Sequence, residues 1–167
     1  VDLPSRLRSR EAYADLLARM FGFYDPLEAA LGSREFRGID LAARLKAPLL
    51  RADLLALGYS PDAVRAVPRC AVLPALTGLA ELAGCLYVLE GATLGGQYVR
   101  REVARAFGLG PGSGCSFFSG YGERTGRMWT GFCHALIAYA DEHPAEAGRI
   151  VATAAETFTR FGEWVAC

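Results

Sequence analysis

Residues 86–97 read LYVLEGATLGGQ. They sit within an apolar run, from about Thr77 to Phe107, that has no proline and spaces its large residues as a helix does. Glycine nevertheless occupies positions 84, 91, 95 and 96, and each glycine costs a helix interior roughly 1 kcal/mol relative to alanine. At about 100° per residue, Gly84, Gly91 and Gly95 fall within ~40° of one another. One face of a long helix is therefore stripped of side chains, so that something large can approach its backbone. Two readings follow: a second helix packed closely, as small residues four apart allow, or a flat ligand. A membrane span is excluded for this run, since Glu81, Glu90, Gln97, Arg100 and Arg101 interrupt it and ~20 clean apolar residues are needed.

Helical patterning extends over the rest of the chain. Ser9 reads as an N-cap for a helix carrying Tyr13, Leu16, Leu17, Met20, Phe21 and Tyr24 at 3–4 spacing. Pro26 is expected to kink or break that helix, and Gly32 to end it. The polar turn SREFRG leads to Asp40, a cap for Leu41–Leu57, with Pro48 splitting the segment and Gly58 closing it. Ser60-Pro61 is a cap followed by proline at the first helical position. The stretch from 108 to 126, GLGPGSGCSFFSGYGERTG, reads as an ordered, non-helical loop with three aromatics. A helix is then expected from about Arg127 to Ala140, with Trp129, Phe132, Cys133, Leu136, Ile137 and Ala140 on one face. Pro144 opens the last helix, whose stripe reads Ile150, Ala154, Phe158, Phe161, Trp164 and Val165. With no strand-type alternation, repeat or linker, residues 1–167 read as one all-α domain of about six to eight helices.

Composition narrows the class of function. Hydrophobic residues make up 52% of the 167, which excludes disorder. The 18 basic and 18 acidic residues cancel, so nothing argues for nucleic acid or an anionic membrane. Lys46 is the only lysine. The five cysteines, at 70, 85, 115, 133 and 167, are scattered, with no CxxC pair. They form neither a disulfide framework nor a zinc site and suit a reducing cytoplasm. His134 lies on the polar side of its helix and His143 before Pro144, so both read as surface histidines. No nucleophile elbow is present, and GATLGG lacks the strand that a dinucleotide loop requires. The chain opens on VDLPSR without methionine, which puts its natural N-terminus in doubt.

LYVLEGATLGGQ, then GCSFFSGYGERTGRMWTGFCHAL, then AAETFTRFGEWV, resemble in order the bacterial biliverdin-producing heme oxygenases, especially the branch that supplies bilin to bacteriophytochromes. SREAYADLLARMFGFYDPLEAAL fits that family's second helix, and the likeness spans about Leu7 to Val165. It implies a heme-oxygenase-like fold with heme, both substrate and cofactor, sandwiched between a proximal helix and a kinked, glycine-rich distal helix. Gly91 and Gly95 match the family's distal glycines, whose bare backbone leaves room for dioxygen on the iron. Tyr87 matches a tyrosine that can hydrogen-bond a heme propionate. Ala92 stands where many members carry a polar side chain, so hydrogen bonding there falls to backbone carbonyls and Thr93. The implied activity is oxidative cleavage of heme to biliverdin, carbon monoxide and ferrous iron, in a cytoplasmic protein served by a ferredoxin or reductase, with a bacteriophytochrome as a candidate partner. The family's proximal histidine aligns upstream of Val1, and neither His134 nor His143 replaces it by motif. The alternative is therefore a non-catalytic heme- or tetrapyrrole-binding module without the axial histidine. Arg100, Arg101 and Arg105 are either a docking patch for an acidic reductant or simply a solvated helix face.

Overall fold

The computed structural model describes residues 6–32 and 34–166. Val1 to Ser5, Ser33 of the expected SREFRG turn, and Cys167 lie outside the described residues. Helix α1 spans Arg10–Leu31. Ser9 caps it, its hydroxyl accepting the Ala12 N–H at 3.1 Å, and Gly32 ends it at φ 61°. Tyr13, Leu17, Phe23 and Leu27 on this helix are completely buried, each contributing roughly 1.5–3 kcal/mol of apolar transfer.

Of the kink or break expected at Pro26, the break does not occur, and α1 continues to Leu31. A proline removes the N–H that would bond the carbonyl four residues back. That carbonyl, on Gly22, instead accepts the Cys70 N–H at 2.9 Å. The connector comes this close because Gly22 has no side chain, and a Cβ there would collide with the Pro68 carbonyl oxygen.

Pro48 does split the Leu41–Leu57 segment, because a helix starts there. Ala42–Arg44 form a 3₁₀ turn, with the Asp40 carboxylate accepting from Ala42 N–H at 3.0 Å. Helix α2, Ala47–Ala56, follows with Pro48 in its first turn, where the missing donor costs nothing. Its N-terminal N–H groups are met by the buried Glu28 carboxylate, from Lys46 at 2.7 Å and Ala47 at 2.9 Å. Helix α3, Pro61–Ala66, begins at the Ser60 cap as expected.

Helix α4, Leu79–Phe107, is continuous across all four glycines and ends at Gly108 in the left-handed region, φ 68°. The glycine-rich segment after it is ordered but holds a 3₁₀ turn at Gly122–Arg124 and, before it, one α-helical turn, α5, Ser116–Ser119. The buried Asp53 carboxylate makes that turn possible by accepting Ser116 N–H at 2.7 Å and Phe117 N–H at 2.8 Å. Helix α6 runs Thr125–Glu142 and α7 Ala147–Ala166, the latter preceded by a 3₁₀ turn at Pro144–Glu146. No strand occurs among the described residues; Phe36 and Ile39 form one isolated bridge. The fold is the all-α architecture that the sequence predicts, and no helix among the described residues is long and apolar enough to cross a membrane.

The expected stripes on α6 and α7 are partly corrected. On α6, Ile137 is 56% exposed, while Tyr139 is buried against Phe36. On α7 the buried residues are Ile150, Thr153, Thr157 and Val165, whereas Phe158 is 70% exposed. The cause is Gly84, which lets the backbone of α7 lie directly on α4. A Cβ at Gly84 would collide with the Ile150 carbonyl oxygen and stand 3.0 Å from the Ala154 nitrogen. So close a crossing admits small threonines, and the Thr157 hydroxyl turns back to the Thr153 carbonyl at 2.7 Å.

Two glycine substitutions test this account by urea unfolding. Gly84→Ala should destabilise by about 1–3 kcal/mol through overpacking against backbone that cannot yield. Gly131→Ala, inside α6 with nothing within 4 Å of its added methyl, should gain up to about 1 kcal/mol.

Candidate functional site

Beyond Gly84 the two long helices leave a cleft of about 400 Å3, within the range of small-molecule sites. Helix α1 supplies Phe23 and Tyr24, α4 supplies one wall from Tyr87 to Leu94, α6 supplies Trp129, and α7 supplies Phe158 and Phe161. Phe161 meets Phe23 edge-on, with ring centroids 5.3 Å apart. Tyr87 is half exposed at the cleft, its ring 5.5 Å from that of Trp129. Burial pushes the Tyr24 phenol well above its ordinary pKa, so it stays protonated. A larger hollow, about 580 Å3, is lined by Arg6, Asp15, Arg19 and Trp164 among others. Its charged rim suits a planar apolar ligand less well.

The bare backbone behaves differently along the stripe. Gly84 is a packing glycine. Gly91 lines the cleft, and a Cβ there would stand 3.6 Å from the Trp129 indole, an ordinary contact. Around Gly95, one turn on, an added Cβ would meet nothing within 4 Å. Gly96 points elsewhere, toward the Phe118 carbonyl at 3.3 Å. Close packing thus holds at Gly84, whereas the same face is left open at Gly95.

Of the residues singled out by sequence, the cleft brings together Tyr87, Gly91 and Ala92. Gly95 lies beyond its lining. Thr93 is buried on another side of α4, its hydroxyl donating to the Glu90 carbonyl at 2.6 Å, so it is not a cleft donor. His134 and His143 are exposed, and the His143 ring stacks on Tyr139 at 4.5 Å. No group of three or more metal-ligating side chains occurs among the described residues. The cysteines at 70, 85, 115 and 133 are free.

A buried charge cluster backs the cleft, and sequence reasoning missed it. Glu90, immediately before Gly91, is 1% exposed. Its carboxylate accepts from Arg44 Nη1 at 2.5 Å and from the Tyr121 hydroxyl at 2.6 Å. The ammonium of Lys46, the lone lysine, donates to the Arg44 carbonyl, to the Tyr121 oxygen at 2.6 Å and, at 3.4 Å, to Glu90. Its three protons are all used. Burial lowers the Lys46 pKa, and the Glu90 and Glu28 charges oppose that shift. Burial, and then the bond to Glu90, push the Tyr121 phenol up. The available signal was a glutamate directly beside Gly91 in an apolar helix and one lysine in an arginine-rich chain.

The family model described as heme oxygenase matches residues 5–167. The chain belongs to that family, whose members bind and degrade heme. No curated protein matches the chain. The cleft fits the flat, apolar part of a heme: aromatic rings line it, and the Gly91 backbone offers an approach without side chains. Among the described residues that line it there is no histidine.

Gly95→Leu should fold as well as the parent or gain up to about 1 kcal/mol, because a helical leucine replaces glycine in open space. A lowered melting temperature would show that this stretch packs more tightly than its geometry indicates.

Proposed function

We propose that the cleft between α4 and α7 binds heme, and that the protein cleaves it oxidatively to biliverdin, carbon monoxide and ferrous iron. The observation that carries this reading is the bare Gly91 backbone in the wall of an aromatic cleft, with open space at Gly95 one turn beyond. Heme when bound supplies the redox chemistry, taking electrons and dioxygen at its iron.

The chain's own residues orient and exclude. Gly91 and Gly95 keep the distal side free of side chains, leaving space next to the ring. Trp129, Phe158 and Phe161 shed water from its faces, which strengthens every polar contact made inside. Tyr87 stands at the cleft with its phenol available to a substrate carboxylate. Ala92 offers no polar group, so hydrogen bonding on this side falls to α4 carbonyls. A ferredoxin or reductase is the electron source under this reading, and a bacteriophytochrome is one use for the bilin. The free cysteines suit a cytoplasmic setting.

One observation favours a second reading. Because no imidazole lines the cleft, a heme- or tetrapyrrole-binding module without turnover is the alternative. Hemin titration of the full-length protein, followed by ascorbate and air, separates the two. The enzyme reading expects a Soret band that disappears as bilin absorption and carbon monoxide appear. A Soret band that persists supports the binding module, and no hemin uptake ends both readings. Gly95→Leu should weaken hemin binding by at least about tenfold, or about 1.4 kcal/mol, while its melting temperature holds.

A further inference from the structure

Arg44 links the two residues that shape the distal wall, although it touches neither. It sits in the 3₁₀ turn between α1 and α2, with its side chain 10% exposed. Its Nη1 donates to the Glu90 carboxylate at 2.5 Å and to the Met128 carbonyl at 3.3 Å. Glu90 immediately precedes Gly91, and Met128 immediately precedes Trp129. One guanidinium nitrogen therefore joins the turn of α4 that bares its backbone to the turn of α6 that carries the indole. The indole lies 3.6 Å from the position of a Gly91 Cβ.

We propose that Arg44 is a positioning residue that fixes Trp129 over Gly91 and so sets the width of the cleft where a planar ligand enters. Two features make arginine the suitable residue. Its planar fork carries donors in fixed directions, whereas a lysine ammonium is a point charge on a flexible stem. Glu90 also has independent partners in Lys46 and Tyr121, so its carboxylate is an anchored reference rather than a mobile counter-ion. The bond to the Met128 carbonyl transmits that reference to α6. Lys46 serves the same cluster, but its ammonium bonds the Arg44 carbonyl, Tyr121 and Glu90 rather than α6.

The proposal rests on the heme reading only for its ligand, and its test separates the two. In ligand-free protein labelled with 5-fluorotryptophan, the two tryptophans give two fluorine resonances, assigned with Trp129→Phe. Arg44→Met should shift or broaden the Trp129 signal and leave Trp164 in place; general loosening of the fold would move both. Hemin affinity should fall by about tenfold in Arg44→Met, the size of one lost charge-assisted hydrogen bond. In a Trp129→Ala background the same change should cost less than about twofold, because residues acting through one another do not add. An unmoved Trp129 resonance, or an equal hemin loss in both backgrounds, would overturn the proposal. If Arg44→Met does not fold, Arg44→Lys carries the same comparison, keeping the charge and losing the fork. A parent protein that takes up no hemin would defeat the heme reading, and the fluorine signals would still decide the role of Arg44.

Discussion

The backbone contact between α4 and α7 at Gly84 organises the rest of the molecule. Two helices carrying ordinary side chains pack with axes roughly 8–10 Å apart. At Gly84 the missing Cβ admits the Ile150 carbonyl directly, and the neighbouring face of α7 is threonine rather than leucine. Gly91 and Gly95 lie on the same helical face as Gly84, but there the partner helix presents Phe158 and Phe161 to a cleft. A single sequence device, glycine at one angular position, thus serves as close packing at one end of α4 and as open approach at the other. Aromatic side chains on the neighbouring helices decide which outcome occurs where.

Buried charge does the complementary work of fixing how α4 is rotated. Desolvating Glu90, Lys46 and Arg44 costs several kcal/mol per ion, and their mutual attraction offsets that only if every donor and acceptor is used. The cluster meets that condition for Lys46, whose three protons have three acceptors. Well-packed apolar residues could often match such a cluster in stability, so net stabilisation is a poor explanation for it. Geometry is a better one, because Glu90 ties both the Arg44–Lys46 turn and the Tyr121 segment to α4. Glu28 and Asp53 act in the same way, as buried carboxylates that start helices whose own N-caps carry no side-chain bond.

What the sequence made legible is what depends on neighbouring residues. Ser9, Gly32, Ser60 and Gly108 mark helix ends through caps and φ > 0 positions, and all four stand where local chemistry puts them. Pro26 was misleading because its effect is local but its remedy is not: the Gly22 carbonyl is rescued by Cys70, far along the chain. The helical turn at Ser116 escaped notice for a similar reason, since Asp53 comes from another helix. Periodicity showed that Phe158 and Phe161 are apolar, but not that both face a cleft. Gly91 and Gly95 were legible as a bare face, whereas the partition of that face depended on where α7 crosses. The Arg44–Glu90 link joins positions 46 residues apart, and no local pattern records such a pairing.

Holding a tetrapyrrole and holding its iron are separable tasks, and under the proposed heme reading the cleft lining bears on the first. Apolar contact with a macrocycle scales with area removed from water, at roughly 25 cal/mol per Å2, and aromatic side chains from four helices line the cleft to offer it. Iron ligation needs one lone pair aimed at one point, and no cleft residue provides an imidazole to do it. Ring recognition without an axial ligand would leave the distal face defined and the opposite face undetermined. Orientation then depends on whatever fixes the ring edges and the cleft width. The Trp129–Gly91 spacing acquires its weight from that division, because it constrains the ring from the side on which the backbone is bare.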